Sequence, residues 1–432
     1  MKEKFLFLIL FSMMTVFLGA QEYDCLEVDV EMAVNSALEN QTSVKESAIK
    51  LNQAERKYQH SWNNVLPSVT ASVSGSENGA ISQFSADTAS LTTNVNASLS
   101  LNLGLAAKIK ALKASYESGK KDYEDTLRQI EYEIRKSFYS ILYLQGQMES
   151  SKENLDSYQA QYEQTKIKKE KGLVPEIDLL TSQVNYESAK IDYKNTEKSY
   201  VNALLEFLNE TGIVPEANQR VSLKGSLDDY QELLDYQFDD SKIDEVVENN
   251  SEIRSIKDSL EQTKLTKKQL VASSYLPSLT LSADVKPYSY SYALDSALST
   301  TANSWSASVG LSLSLDNLLP GSSASDTIKD YSDSISTLEL QLEEKRLEIR
   351  TSLFEMLNEI EIAKDTLENC KLNVDLAKKT YDMALVAYKN GTKDLSSLQS
   401  IQNSYTNAVL QLRNQQLNLI NNILELKNTI GD

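Results

Sequence analysis

From Ser322 to Asn390 the chain runs without a glycine or a proline, and residues 106 to 171 are interrupted only by Gly119 and Gly146. At 1.5 Å per residue, 66 helical residues reach about 100 Å, far beyond the width of a globular core. The whole 432-residue chain holds 13 glycines and 6 prolines, well below the average usage of about 7% and about 5%. Turns are scarce and elements are long. Both stretches repeat apolar residues every seven positions: Leu127, Ile134, Ile141, Met148, Leu155 and Tyr162 in one, and Ile335, Leu342, Ile349, Met356, Ala363 and Cys370 in the other, where Leu353, Ile360, Leu367, Val374, Tyr381 and Tyr388 interleave. A seven-residue period held this long winds helices into a left-handed supercoil with their neighbours. Cys370 is part of that packing, and with Cys25 at the other end of the chain the two cysteines read as unpaired.

The long helices belong to a duplicated plan. LPSVTAS at 66 returns as LPSLTLS at 276, and NVNASLSLNLGL at 94 returns 210 residues later as SWSASVGLSLSL. Farther on, GLVPEIDLLTSQVNYESA at 172 aligns at an offset of 219 with GTKDLSSLQSIQNSYTNA, through Gly172/Gly391, Leu179/Leu398, Gln183/Gln402, Tyr186/Tyr405 and Ala189/Ala408. The additional residues fall in the turn-rich DNLLPGSSASD at 316 to 326. Each half reads as helix, strand, loop, strand, very long helix, sharp break, helix. The first repeat is placed at 21–211, with strands about 67–76 and 94–105, a long helix over 106–171 and a tip at 172–175. An inter-repeat linker follows at 212–240. The second repeat occupies 241–432, with strands about 277–287 and 304–315, a long helix over 322–390 and a tip at 391–394. Pro67 and Pro277 mark the strand starts, where proline is tolerated although it is hostile to a helix interior.

The strands alternate cleanly. Val95, Ala97, Leu99, Leu101 and their counterparts Trp305, Ala307, Val309, Leu311 share one face; Asn96, Ser98, Ser100 and Ser306, Ser308, Gly310 share the other. A soluble sandwich would carry charges outside and bulkier groups inside. A small, nearly uncharged polar face on runs of about ten residues suits a membrane barrel with water inside. Tyr288, Tyr290 and Tyr292, following Pro287, suit the outer rim as interfacial aromatics, yet their even parity points them to the lumen. Four strands cannot close a barrel, since small single-chain barrels use eight, and open edges in lipid cost several kcal/mol per unsatisfied group. Several chains must contribute to one barrel.

MKEKFLFLILFSMMTVFLGA at the start has a basic first segment, an apolar core and small residues before Gln21, the layout of a secretory signal peptide cleaved after Ala20. A lipoprotein signal is the alternative, because Cys25 lies close by, with four polar or acidic residues between it and the segment. A net charge of −19 repels polyphosphate, so nucleic acid is excluded as a partner. The sole histidine, His60, rules out histidine clusters and leaves no Ser/His/Asp constellation. No phosphate loop or metal-ligand spacing is present; no enzymatic activity, cofactor or metal is expected.

This ordered set, present twice, resembles the TolC-type outer-membrane efflux and secretion channels (outer membrane factors) over residues 26 to 430. The resemblance implies a mainly α homotrimer with a small transmembrane β part: three chains supply a 12-stranded barrel, four strands each, continuous with a periplasmic α-helical coiled-coil barrel. It implies an outer-membrane protein extending into the periplasm, a passive exit duct for efflux or type I secretion. Its partners would be a periplasmic adaptor and an inner-membrane pump or ABC exporter. The adaptor-contact tips map to Gly172, Leu173, Val174, Pro175, Gly391 and Thr392, and the gate to Asp178, Tyr388 and Lys393. The chain departs from the family at Ile177, where a threonine usually precedes the gate aspartate, and at Ser397 and Ser400, which replace an acidic ring. By residue type alone, Asp178 is also an ordinary first-turn carboxylate favoured by the helix dipole, and Tyr388 a stripe residue. Lys166, Lys168, Lys169, Lys171, Lys389 and Lys393 read either as ordinary cations at helix C-termini or as an electropositive entrance, tripled by symmetry, that favours anionic solutes or an acidic adaptor tip. A periplasmic coiled-coil scaffold or adaptor without a pore is the competing class, and it leaves the four alternating strands unaccounted for.

Overall fold

A computed structural model describes residues 25–78, 88–216, 219–229, 236–293 and 299–431. The signal-peptide reading lies outside them. In chain order the elements are β1 (Cys25–Val28), α1 (Val30–Asn40), α2 (Thr42–Gln59), β2 (Ser68–Asn78), β3 (Thr88–Leu101), α3 (Leu105–Glu170), α4 (Glu176–Thr211), β4 (Arg220–Leu223), α5 (Ile243–Asn249), α6 (Ser251–Tyr275), β5 (Ser278–Ala293), β6 (Ser299–Ser312), α7 (Ser323–Lys389) and α8 (Leu395–Ile430). The strands extend farther from the helices than the alternation suggested. β3 covers Thr88–Leu101 instead of 94–105 and β6 covers Ser299–Ser312 instead of 304–315, because Thr-rich segments prolong the ladders and the chain turns away at Asn102 and Ser314. Pro67 and Pro277 each stand one residue ahead of a strand.

The duplication is visible in the elements themselves. β2 and β5 begin 210 residues apart, while α4 and α8 are each 36 residues long, begin and end 219 apart, and stop at left-handed glycines, Gly212 (φ 69°) and Gly431 (φ 80°). Two further matched pairs lie at the same offset: Tyr162 stacks on Tyr186 with ring centroids 5.9 Å apart, and Tyr381 on Tyr405 at 5.8 Å. Each stack joins the two arms of one hairpin, α3 to α4 and α7 to α8.

Helices lie side by side in the order α2, α3, α6, α7 near the strands and α4, α3, α8, α7 toward the tips. At the waist between these zones α1, α5 and the paired strands β1 and β4 gather around the long helices. There Phe138 (α3), Phe207 (α4), Ile253 (α6), Leu353 (α7) and Leu419, Ile420 and Ile423 (α8) are fully buried in one apolar cluster. A buried side chain of this size contributes about 1.5–3 kcal/mol, which makes the waist the anchor of the protomer.

The four strands form one antiparallel sheet in the order β2, β3, β5, β6. Facing residues match in character: Val69 opposes Ala97, Val95 opposes Val285, Leu281 opposes Val309 and Val285 opposes Trp305. On the other face Ser68 bonds Ser98 (2.9 Å), Ser282 bonds Ser308 (2.7 Å) and Asn96 donates to Asp284 (2.8 Å). The tyrosines break the parity expectation. A bulge lies between Lys286 and Ser289, opposed on the β3 side by a shift between Thr93 and Val95. Beyond it Tyr288 opposes Thr93, Tyr290 opposes Leu91 and Tyr292 opposes Ala89, so all three join the apolar face. The reason is Pro287, which has no N–H to give the ladder and is accommodated at a bulge. One extra residue reverses every side chain after it.

Phe138→Ala should lower the stability of the detergent-solubilised protein by about 3–5 kcal/mol, since the waist cannot collapse around the lost ring. Thermal unfolding followed by circular dichroism measures it.

Candidate functional site

The two breaks are built alike. At the first, Gly172 donates to the Lys169 carbonyl (2.9 Å) and Leu173 to the Lys168 carbonyl (2.9 Å); at the second, Gly391 donates to Tyr388 (3.1 Å) and Thr392 to Ala387 (3.0 Å). This pair of bonds satisfies the last free carbonyls of a helix and needs a left-handed residue, supplied by Gly172 (φ 71°) and Gly391 (φ 75°). Their side-chain chemistry differs. Leu173, Val174 and Pro175 form an apolar first tip, with Leu173 exposed. Thr392 and Lys393 form a polar second tip, closed by Asp394, whose carboxylate accepts from the Ser397 amide at 2.6 Å as the N-cap of α8. That bond, with the nearby Lys393, holds the Asp394 carboxyl below its ordinary value. Asp394, which lies out of register for an acidic ring, thus has a local task. Asp followed by Leu-Ser-Ser at a helix start is a readable capping signal.

Asp178 lies half-buried in the first turn of α4 and Lys393 half-buried at the second tip. Tyr388 is buried with Ala384, Leu395 and Leu398 in a small cluster between α7 and α8. Its ring faces Lys168 of α3, whose Nζ stands 4.3 Å from the centroid. Within one chain, Tyr388 therefore meets a lysine, and no hydrogen bond joins it to Asp178. Lys169 spans the first tip to Glu176 at 3.3 Å. Ile177 and Leu180 are exposed.

Above the tips, the seam between hairpin α3/α4 and hairpin α7/α8 is polar. The expected apolar line of Met148, Leu155 and Tyr162 is only half-buried, and the buried line of α3 is Ser150, Tyr158, Gln161 and Thr165. Gln161 donates to Gln402 (2.6 Å), Gln402 to Asn154 (2.8 Å), and the Tyr158 hydroxyl to Asn403 (2.8 Å). Tyr381 of α7 and Ser157 of α3 share a 3.3 Å bond. Where the seam meets the waist, Gly146 leaves room for the Arg413 guanidinium, which any Cβ there would strike. These amides escaped the sequence reading because glutamine and asparagine look like solvent-facing residues until a partner helix is known.

Among the described residues no helix is long and apolar enough to cross a membrane. In the single chain the sheet's apolar face is uncovered: Trp305 is 79% and Val309 74% accessible.

Comparison with known proteins gives these features a context. The pattern of the family described as outer membrane efflux protein matches residues 33–212 and 243–432. No curated protein matches the sequence. Among solved structures, the Campylobacter jejuni CmeC outer membrane channel is 17% identical with a TM-score of 0.74, over 93% of this chain and 85% of that one. The open state of the Neisseria gonorrhoeae MtrE outer membrane channel is 17% identical with a TM-score of 0.74, over 93% and 88%. The Vibrio cholerae outer membrane protein VceC is 13% identical with a TM-score of 0.71, over 93% and 96%. At such identities the likeness is one of fold, and it spans nearly the whole chain. The match covers most of the first repeat and nearly all of the second: the chain belongs to the outer membrane efflux protein family, channels of the outer membrane that extend into the periplasm and are not enzymes.

Proposed function

We propose that three copies of this chain form a passive exit duct for efflux or type I secretion, loaded by an inner-membrane pump or ABC exporter and reached through a periplasmic adaptor. The observation that carries this reading is the sheet: four strands with an apolar outer face and open edges at β2 and β6, which only further strands can complete in lipid. Three chains bring twelve. The helices support the same assembly, because apolar stripes remain exposed at both margins of the helical layer. One is Ile177, Val184, Ile191 and Leu205 on α4; the other is Ile362, Leu376 and Met383 on α7. Both keep heptad spacing, and a neighbouring copy would cover each. A periplasmic scaffold without a pore would leave the apolar sheet face bare.

The tips would form the periplasmic entrance, with Gly172, Leu173, Val174, Pro175, Gly391 and Thr392 meeting the adaptor. Asp178, Tyr388 and Lys393 would close it, through a link made on assembly, since the single chain holds Tyr388 against Lys168 instead. The polar seam supports an opening in which hairpins part: amides and hydroxyls exchange one another for water at a net cost of about 1 kcal/mol per bond, whereas the waist would lose buried apolar area. Substrate would be chosen by the pump, because the duct does no chemistry.

Asp178→Ala or Tyr388→Phe should raise single-channel conductance in planar bilayers and the leak of large antibiotics into cells; wild-type values in both variants would remove these residues from the gate. Val184→Glu combined with Ile191→Glu should shift the mass in detergent from trimer toward monomer while helicity is retained. The second tip should also loosen in acid. Asp394 has its folded-state value depressed, so its cap is intact above the ordinary carboxylate range and is lost as pH falls through the lowered value. A spin label at position 396 should gain mobility over that descent, and Asp394→Ala should be equally mobile at every pH.

A further inference from the structure

We propose that the bulge at Pro287 sets the bore of the outer barrel by turning Tyr288, Tyr290 and Tyr292 out of the lumen and into the outer lipid headgroup region. The proposal rests on the multi-chain barrel reading above. Side-chain contacts fix the reversal independently of the backbone register. Below the bulge an even-numbered β5 residue, Asp284, meets Asn96 on the polar face; above it an odd-numbered one, Ser289, meets Thr92 at 3.4 Å. Both β3 partners are even-numbered, so β3 keeps its parity and β5 changes it. Thr93 holds the distortion in place: the Tyr288 amide donates to Thr93 Oγ1 at 3.1 Å, and the Thr93 hydroxyl lies 3.0 Å from the Tyr288 carbonyl, which it serves as donor. The amide and carbonyl that the bulge withdraws from the ladder thereby keep a partner.

Height along the membrane points to the occupant of this aromatic face. Tyr288 stands ten residues beyond Ser278, and at ~3.3 Å per residue with a tilt of about 40° that is about 25 Å along the normal, the height of the apolar band in membrane barrels. Tyrosine offers an apolar ring and a hydroxyl, the combination suited to the boundary between chains and headgroups. Inside, the same positions are left to Ser289, Ser291 and Thr92, which carry little bulk. Had the alternation continued unbroken, three rings per chain would stand in the exit.

Two variants test this in the full-length protein. In a Trp62→Phe background, native Trp305, opposite Val285 below the bulge, reports whether the apolar face is in lipid at all. With Trp62→Phe and Trp305→Phe, a Tyr290→Trp variant reports the face in question. In vesicles of brominated phosphatidylcholine, both should be quenched, Trp305 most by bromines deep in the chain and position 290 most by bromines near the headgroup. Quenching of Trp305 with position 290 open only to aqueous acrylamide overturns the proposal and leaves the barrel standing; no quenching at either overturns both. Compared in the Asp178→Ala background, where the entrance no longer limits flow, deleting Pro287 should restore the alternation and lower conductance severalfold, and Thr93→Val should do so in part. Unchanged conductance in a folded Pro287 deletion overturns the bore-setting role.

Discussion

A backbone amide left without a partner in hydrocarbon costs several kcal/mol, and β2 and β6 each present a full edge of them. That single constraint makes the protomer incomplete on its own. The sheet has a matched apolar face outside and hydroxyl ladders inside, yet it is an open ribbon, and the helical layer beneath it ends on both margins in uncovered heptad stripes. In the proposed trimer the same requirement for closure would be met in two ways at two levels, by hydrogen bonds in the membrane and by knobs-into-holes packing below it.

Along the axis the chain divides its cohesion unequally. At the waist Phe138, Phe207, Ile420 and their neighbours bury apolar area, which water cannot replace. Toward the tips each hairpin is held together by a tyrosine stack, while the two hairpins meet through Gln161, Gln402, Asn154 and Asn403. Water can replace those bonds one for one. A chain arranged in this way is stiffer at the waist than toward the tips, as the proposed opening of the entrance requires.

Much of this was legible in the sequence. Absence of glycine and proline, heptad period and twofold recurrence name the long helices, and strict alternation names the strands and both their faces. What escaped depended on partners. Gln161 and Gln402 lie on helices far apart in sequence, so nothing local marks them as buried. Counting through Pro287 puts Tyr288, Tyr290 and Tyr292 in the lumen, and counting fails at a bulge; the proline itself is the warning. Asp394 lies out of register for an acidic ring, and its carboxylate is consumed by the amide of Ser397. Lys168 over Tyr388 could not be read from either residue's surroundings, because α3 and α7 meet only through the fold.

The equal length of α4 and α8 has a mechanical consequence. Thirty-six residues each, they measure about 54 Å between the waist and the two turns. Both turns thus arrive at one level, and a tube assembled from such chains would end in a flat rim rather than a crown with alternate teeth. A single heptad added to one arm pair would raise half the teeth by about 10 Å, and anything seated against the rim would then rest on three points in place of six.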